Sequence, residues 1–316
     1  ANTIPVMKRR TFIQTTGTLA AAASLHPALA MAGSKTYPVR LGANLFDSYG
    51  DPGEWLNLLD KEGYRTAYCP VGTEADEQEI RAYEEAARKH DVVISEVGAW
   101  SNTLSPDPLE VKKSLEKCIQ GLQLADQIGA RCCVNISGSR NKEHWAGPHK
   151  DNLTDELFDR VVENTRKIID EVKPTRSFFA LEAMPWSFPD SADTYLKLLK
   201  AIDRPGFGVH LDPVNMIRSP REYFNNGALI KDMFEKLGPH IKSCHAKDIT
   251  LREDNYIPQM DEVRAGLGTL DYAAFLRNLS KLKDVPLMME HLKTAEEYRL
   301  AAAHIRNVAQ ANGISM

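Results

Sequence analysis

From residue 39 onward, short β-rich apolar runs alternate with longer amphipathic segments, and the alternation repeats eight times. Such a pattern dictates a parallel sheet, because two parallel neighbours can be joined only by a crossover long enough to be a helix. The spacing predicts strands over 39–46, 65–70, 92–97, 130–136, 177–183, 206–211, 241–245 and 287–290, each followed by a helix. Helix starts are marked by Asp51-Pro52, Asp107-Pro108, Thr154 and Ser219-Pro220, where a capping side chain stands at the first turn and, in three of the cases, beside a proline. Gly129 and Lys173-Pro174 stop two of the helices, and the last is expected over 295–311, before Asn312-Gly313. The unit count, the even spacing and the lack of a G-x-G-x-x-G turn favour an α/β fold of the TIM (β/α)8 barrel type over an open doubly wound sheet. No linker rich in Pro, Gly or Ser divides the repeats, so residues 33–316 read as one catalytic domain.

Residues 1–32 follow a different logic. Lys8-Arg9-Arg10 precedes Thr11-Phe12-Ile13-Gln14, then an apolar run over 19–25, then small residues through Ala32. This is the layout of an export signal, and the arginine pair with a Phe two residues on resembles a twin-arginine leader, which exports folded and often cofactor-loaded proteins. Cleavage is expected after Ala30 or Ala32, leaving a protein outside the cytoplasm, periplasmic or equivalent. The run is too short to span a bilayer and is broken by His26-Pro27, and no stretch of about 18 apolar residues follows it, so no membrane attachment is expected after cleavage.

Removing the leader takes the 39 basic residues to 36 against 43 acidic ones and moves the formal charge from −4 to −7. Nucleic-acid binding draws on clustered Lys and Arg, and none occurs outside the leader, so a nucleic-acid partner is not expected. The five cysteines are odd in number and contain no C-x-x-C pair, which argues for free, mostly buried thiols. Cys132 and Cys133, being adjacent on a strand, must face opposite sides.

Barrel chemistry sits at the carboxyl ends of the strands, where the βα loops form one mouth. Four successive strands end there in a hard-metal ligand: Glu182 in Phe-Ala-Leu-Glu, Asp212 in Val-His-Leu-Asp, His245 in Lys-Ser-Cys-His and Glu290 in Met-Met-Glu. Any one of them alone reads as a loop anchor or a helix cap. Together they form an oxygen-rich set with one nitrogen, which suits one divalent ion, Mn²⁺ foremost, with Mg²⁺, Co²⁺ and Zn²⁺ as other fits. A cation also removes the repulsion among three converging carboxylates. Around them, Lys247 and Arg264 read as polar substrate contacts, Trp186 and Trp145 as faces for a sugar or as covers of the barrel, and Asn44 and Asn215 as polar groups of the mouth loops. Glu96, Trp100, Asn135, Arg140 and His144 also fall near strand ends, where most such residues are structural. His210 and His291 stand close to ligands and are expected to turn away from the centre into satisfied positions.

The segments Leu181-Glu182, Leu211-Asp212-Pro213, His245-Ala246-Lys247-Asp248, Gly266-Leu267-Gly268-Thr269-Leu270-Asp271-Tyr272 and Glu290 resemble those of the xylose isomerase-like barrels, grouped as sugar phosphate isomerases/epimerases, with ketose 3-epimerases and endonuclease IV as relatives. The resemblance spans residues 39–312. It implies a metal on Glu182, Asp212, His245 and Glu290, with Glu182 and Glu290 also acting as acid and base. The implied activity is an isomerase or epimerase acting on a sugar or keto-sugar, a keto-glycoside included, by proton abstraction beside a carbonyl and a metal-stabilised enediolate. A dehydratase or lyase acting on an oxidised sugar or inosose is the alternative within the same chemistry, and a catalytically silent sugar-binding barrel the alternative outside it. The resemblance also implies a small-molecule sugar as partner and a homo-oligomer. Endonuclease IV has a histidine three residues after the strand-six Asp, where this chain has Asn215, and another before the Gly-x-Gly segment, where the nearest residues are Glu262 and Val263. In ketose 3-epimerases the Asn215 place is a substrate-binding histidine, so substrate recognition has changed here.

The leader makes a direct prediction. Exported protein should have an N terminus just after Ala30 or Ala32 by mass spectrometry, and replacing Arg9 and Arg10 with lysine should leave full-length protein in the cytoplasm; export unchanged by that pair of substitutions would contradict the twin-arginine reading.

Overall fold

A computed structural model describes residues 35–316; the expected export signal and its cleavage position lie outside the described residues. The eight anticipated strands are all present, and most are shorter than the apolar runs, the seventh and eighth excepted. They are β1 (Arg40–Gly42), β2 (Thr66–Ala67), a third strand in two pieces, β3 (Val93–Ile94) and β4 (Glu96–Gly98), then β5 (Cys132–Asn135), β6 (Phe179–Glu182), β7 (Phe207–Leu211) and β8 (Ile241–Ala246). A hairpin of β9 (Asp248–Leu251) and β10 (Met260–Val263) follows, and β11 (Pro286–Met289) is the eighth barrel strand. The apolar runs outlast the ladders because Ala43, Ile136 and Ala183 stay buried after the backbone has left the sheet.

Seven of these strands form one parallel sheet in the order β1-β11-β8-β7-β6-β5-β4, and β2 pairs with β3 in parallel. The third barrel strand joins the two sheets. Its first half pairs with β2 and its second with β5, and the residue at the break, Ser95, donates from its N–H to Ala67 and accepts from Cys132. On the other side of β2, the Arg65 N–H donates to the Leu41 carbonyl at 3.1 Å and completes the ring. Gly42 is required at this seam, since a Cβ there would collide with the Thr66 carbonyl.

The outer layer is built from α1 (Pro52–Glu62), α2 (Glu77–Lys89), α3 (Pro108–Ile128), α4 (Asp155–Val172), α5 (Ala192–Ile202), α6 (Pro220–Phe224), α7 (Asn226–Leu237), α8 (Tyr272–Leu279) and α9 (Ala295–Ala311). Asp51, Asp107, Thr154 and Ser219 accept backbone N–H groups at the helix starts as expected, and Gly129 and Lys173 end α3 and α4 in the left-handed region. Asp126, near the end of α3, accepts from the N–H groups of Thr175, Arg176 and Ser177 and so fixes the turn that enters β6. The sixth unit carries two helices, α6 and α7, where one was expected. The β9–β10 hairpin is likewise additional: its exposed tip over 252–259 interrupts the strand pattern on either side.

Most of the core lies between the sheet and the helices, around Trp55, Tyr64, Phe179, Tyr195, Phe275 and Tyr298. The space inside the ring is narrower and filled by small side chains, Cys132, Val134 and Ala180. Cys133 packs on the helix side, so the two adjacent thiols do face opposite ways, and all five cysteines are free. No helix among the described residues is long and apolar enough to cross a membrane.

Because the seam at Gly42 tolerates no side chain, Gly42→Ala should lower stability by about 1–3 kcal/mol through backbone displacement of β1 from β2. Urea denaturation checks this; an unchanged midpoint would show that the seam can open without cost.

Candidate metal centre

Period two along each strand decides which side chains enter the ring. Glu182 closes β6, Asp212 directly follows β7, His245 lies near the end of β8 and Glu290 directly follows β11, so neighbouring strands deliver the four residues to one level of the barrel. Their ligand atoms lie within 4.8 Å of one another, and all four residues are buried. His245 Nδ1 stands 3.3 Å from Glu182 Oε1 and 3.0 Å from Glu290 Oε2. One oxygen of Asp212, Oδ1, is used locally, accepting the N–H groups of Val214 and Asn215. The other, Oδ2, and Glu290 Oε1 are buried and accept no aligned hydrogen bond, facing only the charge of the Lys247 ammonium. Three carboxylates and one imidazole converging at this range are a donor set that fits a divalent ion, which Glu182, Asp212, His245 and Glu290 would hold.

Beneath the centre lies a polar network that the sequence reading only grazed. Glu96, at the start of β4 and 2% exposed, faces inward with Oε1 3.0 Å from His245 Nε2. Its other oxygen lies 3.4 Å from His210 Nδ1, and that nitrogen is 2.5 Å from the Ser243 hydroxyl, which in turn meets the Cys132 thiol at 3.2 Å. His210 therefore does not turn away. It stands two residues before Asp212, and an even separation on a strand puts both on the inner face, where its ring packs edge-on against His245 at 4.0 Å. Counting that separation would have found it.

Two other expectations change as well. His291 adopts a left-handed backbone, φ 59°, which defeats strand alternation and folds its ring back to the centre; Nδ1 meets Glu262 Oε1 at 2.9 Å and Nε2 is 3.5 Å from Glu290 Oε2. Arg264 is not part of the cavity wall; its guanidinium reaches the Ala265 carbonyl at 3.3 Å. Asn135, Arg140 and His144 also lie outside the wall: Asn135 is fully buried on Ser101 and Cys118, Arg140 bonds to Ser105, and His144 is exposed.

The cavity above the centre measures about 850 Å³; Glu182, His245 and Glu290 line it, whereas Asp212 and His210 do not reach its wall. Asn44 lines it while donating to the Tyr298 hydroxyl at 3.1 Å, and Trp186 lines it with its indole N–H on the Ala146 carbonyl. Trp100 and Trp145 complete an aromatic rim. Asn215 bridges two members of the site, donating to Glu182 Oε1 at 3.0 Å and accepting from Lys247 Nζ at 3.1 Å. Lys247 is 3% exposed and enters the cluster itself, 2.7 Å from Asp212 Oδ2 and 2.8 Å from Glu290 Oε1. Glu262, from the unforeseen β10, adds a further carboxylate 3.4 Å from the same ammonium.

The rest of the His245-Ala246-Lys247-Asp248 motif is scaffolding. Asp248 accepts the N–H groups of Gly266, Ile249 and Leu270, and Gly268 passes so close that a side chain there would strike its carboxylate. Tyr272 then donates to the Lys247 carbonyl at 2.7 Å. The Gly266–Tyr272 segment thus locks the backbone that carries His245 and Lys247.

Electrostatics separates the two glutamates. Burial pushes the Glu182 carboxyl up to about 7 against the attraction of His245 and Lys247, whereas at Glu290 burial is outweighed by the same two cations, which hold it well below the usual range. His245 is raised, despite burial, by Glu290, Glu96 and Glu182, while burial and the neighbouring His245 charge push His210 down to about 4 and keep it neutral.

With Nδ1 turned to the carboxylates, His245 offers its Nε2 proton to Glu96, the arrangement that fixes a ligating imidazole in one tautomer. Glu96→Gln should therefore weaken Mn²⁺ binding by about 10–100-fold, measured by calorimetry on metal-stripped protein. Wild-type affinity in that variant would show that the carboxylate plays no part in preparing the ligand.

Comparison with known proteins places this architecture. The sequence over residues 56–308 matches the family model described as "Xylose isomerase-like TIM barrel". No curated protein sequence matches the chain. Among solved structures, a xylose isomerase-like TIM barrel protein from Mycobacterium smegmatis in complex with magnesium superposes with a TM-score of 0.60 at 17% identity, covering 89% of this chain and 98% of that one. The probable 3-DHS dehydratase AsbF from Bacillus anthracis gives 0.62 at 16% identity, covering 87% and 99%. The 3-keto-D-glucoside 4-epimerase YcjR from E. coli gives 0.58 at 14% identity, covering 85% and 99%. With the family model matching most of its length, the chain belongs to the xylose isomerase-like TIM barrel family.

Proposed function

We propose that this protein is a divalent-metal-dependent enzyme that, after export, moves a proton next to the carbonyl of a sugar or keto-sugar, giving isomerisation or epimerisation. The observation that carries the reading is the convergence of Glu182, Asp212, His245 and Glu290 within 4.8 Å, with Glu182, His245 and Glu290 on the wall of a large cavity. Its family and the epimerase and dehydratase names among its structural neighbours agree with it.

When bound, the ion supplies the positive charge that stabilises negative charge building on substrate oxygens. The residues supply the rest. Glu182 and Glu290, both beside His245 and both on the cavity wall, are the carboxylates suited to take a proton from the carbon beside the carbonyl and to return one. Return to the same carbon from the opposite side inverts it, whereas return to the neighbouring carbon or oxygen isomerises. Asn215 and Lys247 orient the carboxylates and meet sugar oxygens, and the rim of Trp100, Trp145 and Trp186 offers flat faces to a ring. Mn²⁺ is the proposed ion, because the donors are three carboxylates and one imidazole.

A dehydratase acting on an oxidised sugar is the second reading, favoured by the Glu262–His291 pair, which places another proton donor on the cavity wall where a leaving hydroxyl could be met.

Incubation of the Mn²⁺-loaded protein with a panel of keto-sugars in D₂O should place deuterium on the carbon beside the carbonyl, and EDTA should stop it. Loss of water along with exchange selects the dehydratase. Glu290→Gln should reduce exchange by about 10²–10⁴-fold with the fold intact by circular dichroism. No deuterium incorporation and no product from any sugar of the panel would sink the enzyme reading and leave a sugar-binding barrel.

A further inference from the structure

Lys247 is the one buried member of the centre whose charge is already positive by nature. Its Nζ lies within reach of four carboxylates: Asp212 Oδ2 at 2.7 Å, Glu290 Oε1 at 2.8 Å, Glu262 Oε2 at 3.4 Å and Glu182 Oε1 at 3.9 Å. The two shortest contacts are not aligned hydrogen bonds, since Asp212 Oδ2 and Glu290 Oε1 both remain without one. The ammonium is aligned instead with Asn215 Oδ1, at 3.1 Å. It is thus held at Asp212 and Glu290 by charge and at Asn215 by direction. A monovalent and a divalent cation competing for the same oxygens at this range repel strongly in a buried site. The backbone cannot yield, because the Lys247 carbonyl is tied to Tyr272 and the next residue to the Gly266–Tyr272 segment. Only the four-carbon side chain is free to move, and Asn215 and Glu262, which it already meets at 3.1 Å and 3.4 Å on the cavity wall, can keep it when Asp212 and Glu290 are given up.

We propose that Lys247 is the resident cation of the centre: its ammonium neutralises the carboxylates when no divalent ion is bound, and ion entry moves it off Asp212 and Glu290 and leaves it held by Asn215 and Glu262 alone. The inference rests on the reading that Glu182, Asp212, His245 and Glu290 hold a divalent ion. It carries two consequences. The protein stays folded without metal and binds it reversibly, because each entering ion displaces a charge. The displaced ammonium then stands beside the ion, facing the cavity, so metal loading and the assembly of a cationic substrate contact are one event.

The test is a calorimetric titration of metal-stripped wild type and Lys247→Met with Mn²⁺ at one pH. The variant should bind about tenfold or more tightly than wild type. Its stripped form should melt below stripped wild type, with the gap narrowing on loading. Equal or weaker Mn²⁺ binding by the variant, beside measurable wild-type binding, overturns the inference and leaves the metal reading intact; absence of binding by both overturns the two together. Should Lys247→Met fail to fold, wild-type protein titrated with Mg²⁺ and followed by NMR of its protected lysine ammonium serves instead. A shift that tracks occupancy is expected, and a resonance unmoved at saturation overturns the displacement.

Discussion

Glu96, Glu182, Asp212, Glu262 and Glu290 are gathered at one end of a barrel, and four of the five are less than a tenth exposed. Like charges at this spacing, in a medium that screens them poorly, would drive the strand ends apart. Everything near the mouth can be understood as an answer to that repulsion. His245 stands among Glu96, Glu182 and Glu290, Lys247 among Glu182, Asp212, Glu262 and Glu290, and Asn215 links Lys247 to Glu182. The backbone scaffolding follows from the same need: Asp248 and the Gly266–Tyr272 segment hold the residues bearing the two cations against a field that would otherwise move them.

Much of this was readable in the chain. Eight apolar runs of roughly even spacing leave few alternatives to a closed parallel ring, and Asp51, Asp107, Thr154 and Ser219 mark helix starts because capping is a local event that needs only neighbouring residues. Glu182, Asp212, His245 and Glu290 were legible for a related reason, since the end of a strand is visible in sequence and the ends of parallel strands share one face. What escaped was set by contacts between distant segments or by backbone angles. Glu262 arrives on a hairpin whose exposed tip interrupts its strands, and Arg264, two residues on, falls outside the wall the hairpin builds. His291 reaches the centre only through a positive φ that no pattern of apolar residues encodes. His210 is different: its position was implied by the two-residue interval to Asp212, and its neutral state by a burial that only the folded ring reveals.

The glutamates illustrate how a symmetric choice of residue type becomes an asymmetric pair. Glu182 and Glu290 both lie beside His245, yet burial dominates at the first and neighbouring cations at the second. Their surroundings differ in two ways: Lys247 stands 2.8 Å from Glu290 and 3.9 Å from Glu182, and His291 adds a further neighbour to Glu290 alone.

The network of Glu96, His210, Ser243 and Cys132 is carried wholly by β4, β7, β8 and β5, whereas Trp100, Trp145, Trp186 and Glu262 come from loops or the inserted hairpin. The buried network and the aromatic rim therefore sit on different elements, strands for the one and connecting segments for the other. A barrel divided this way can vary its rim while its strands stay as they are, so one fold can carry many different mouths.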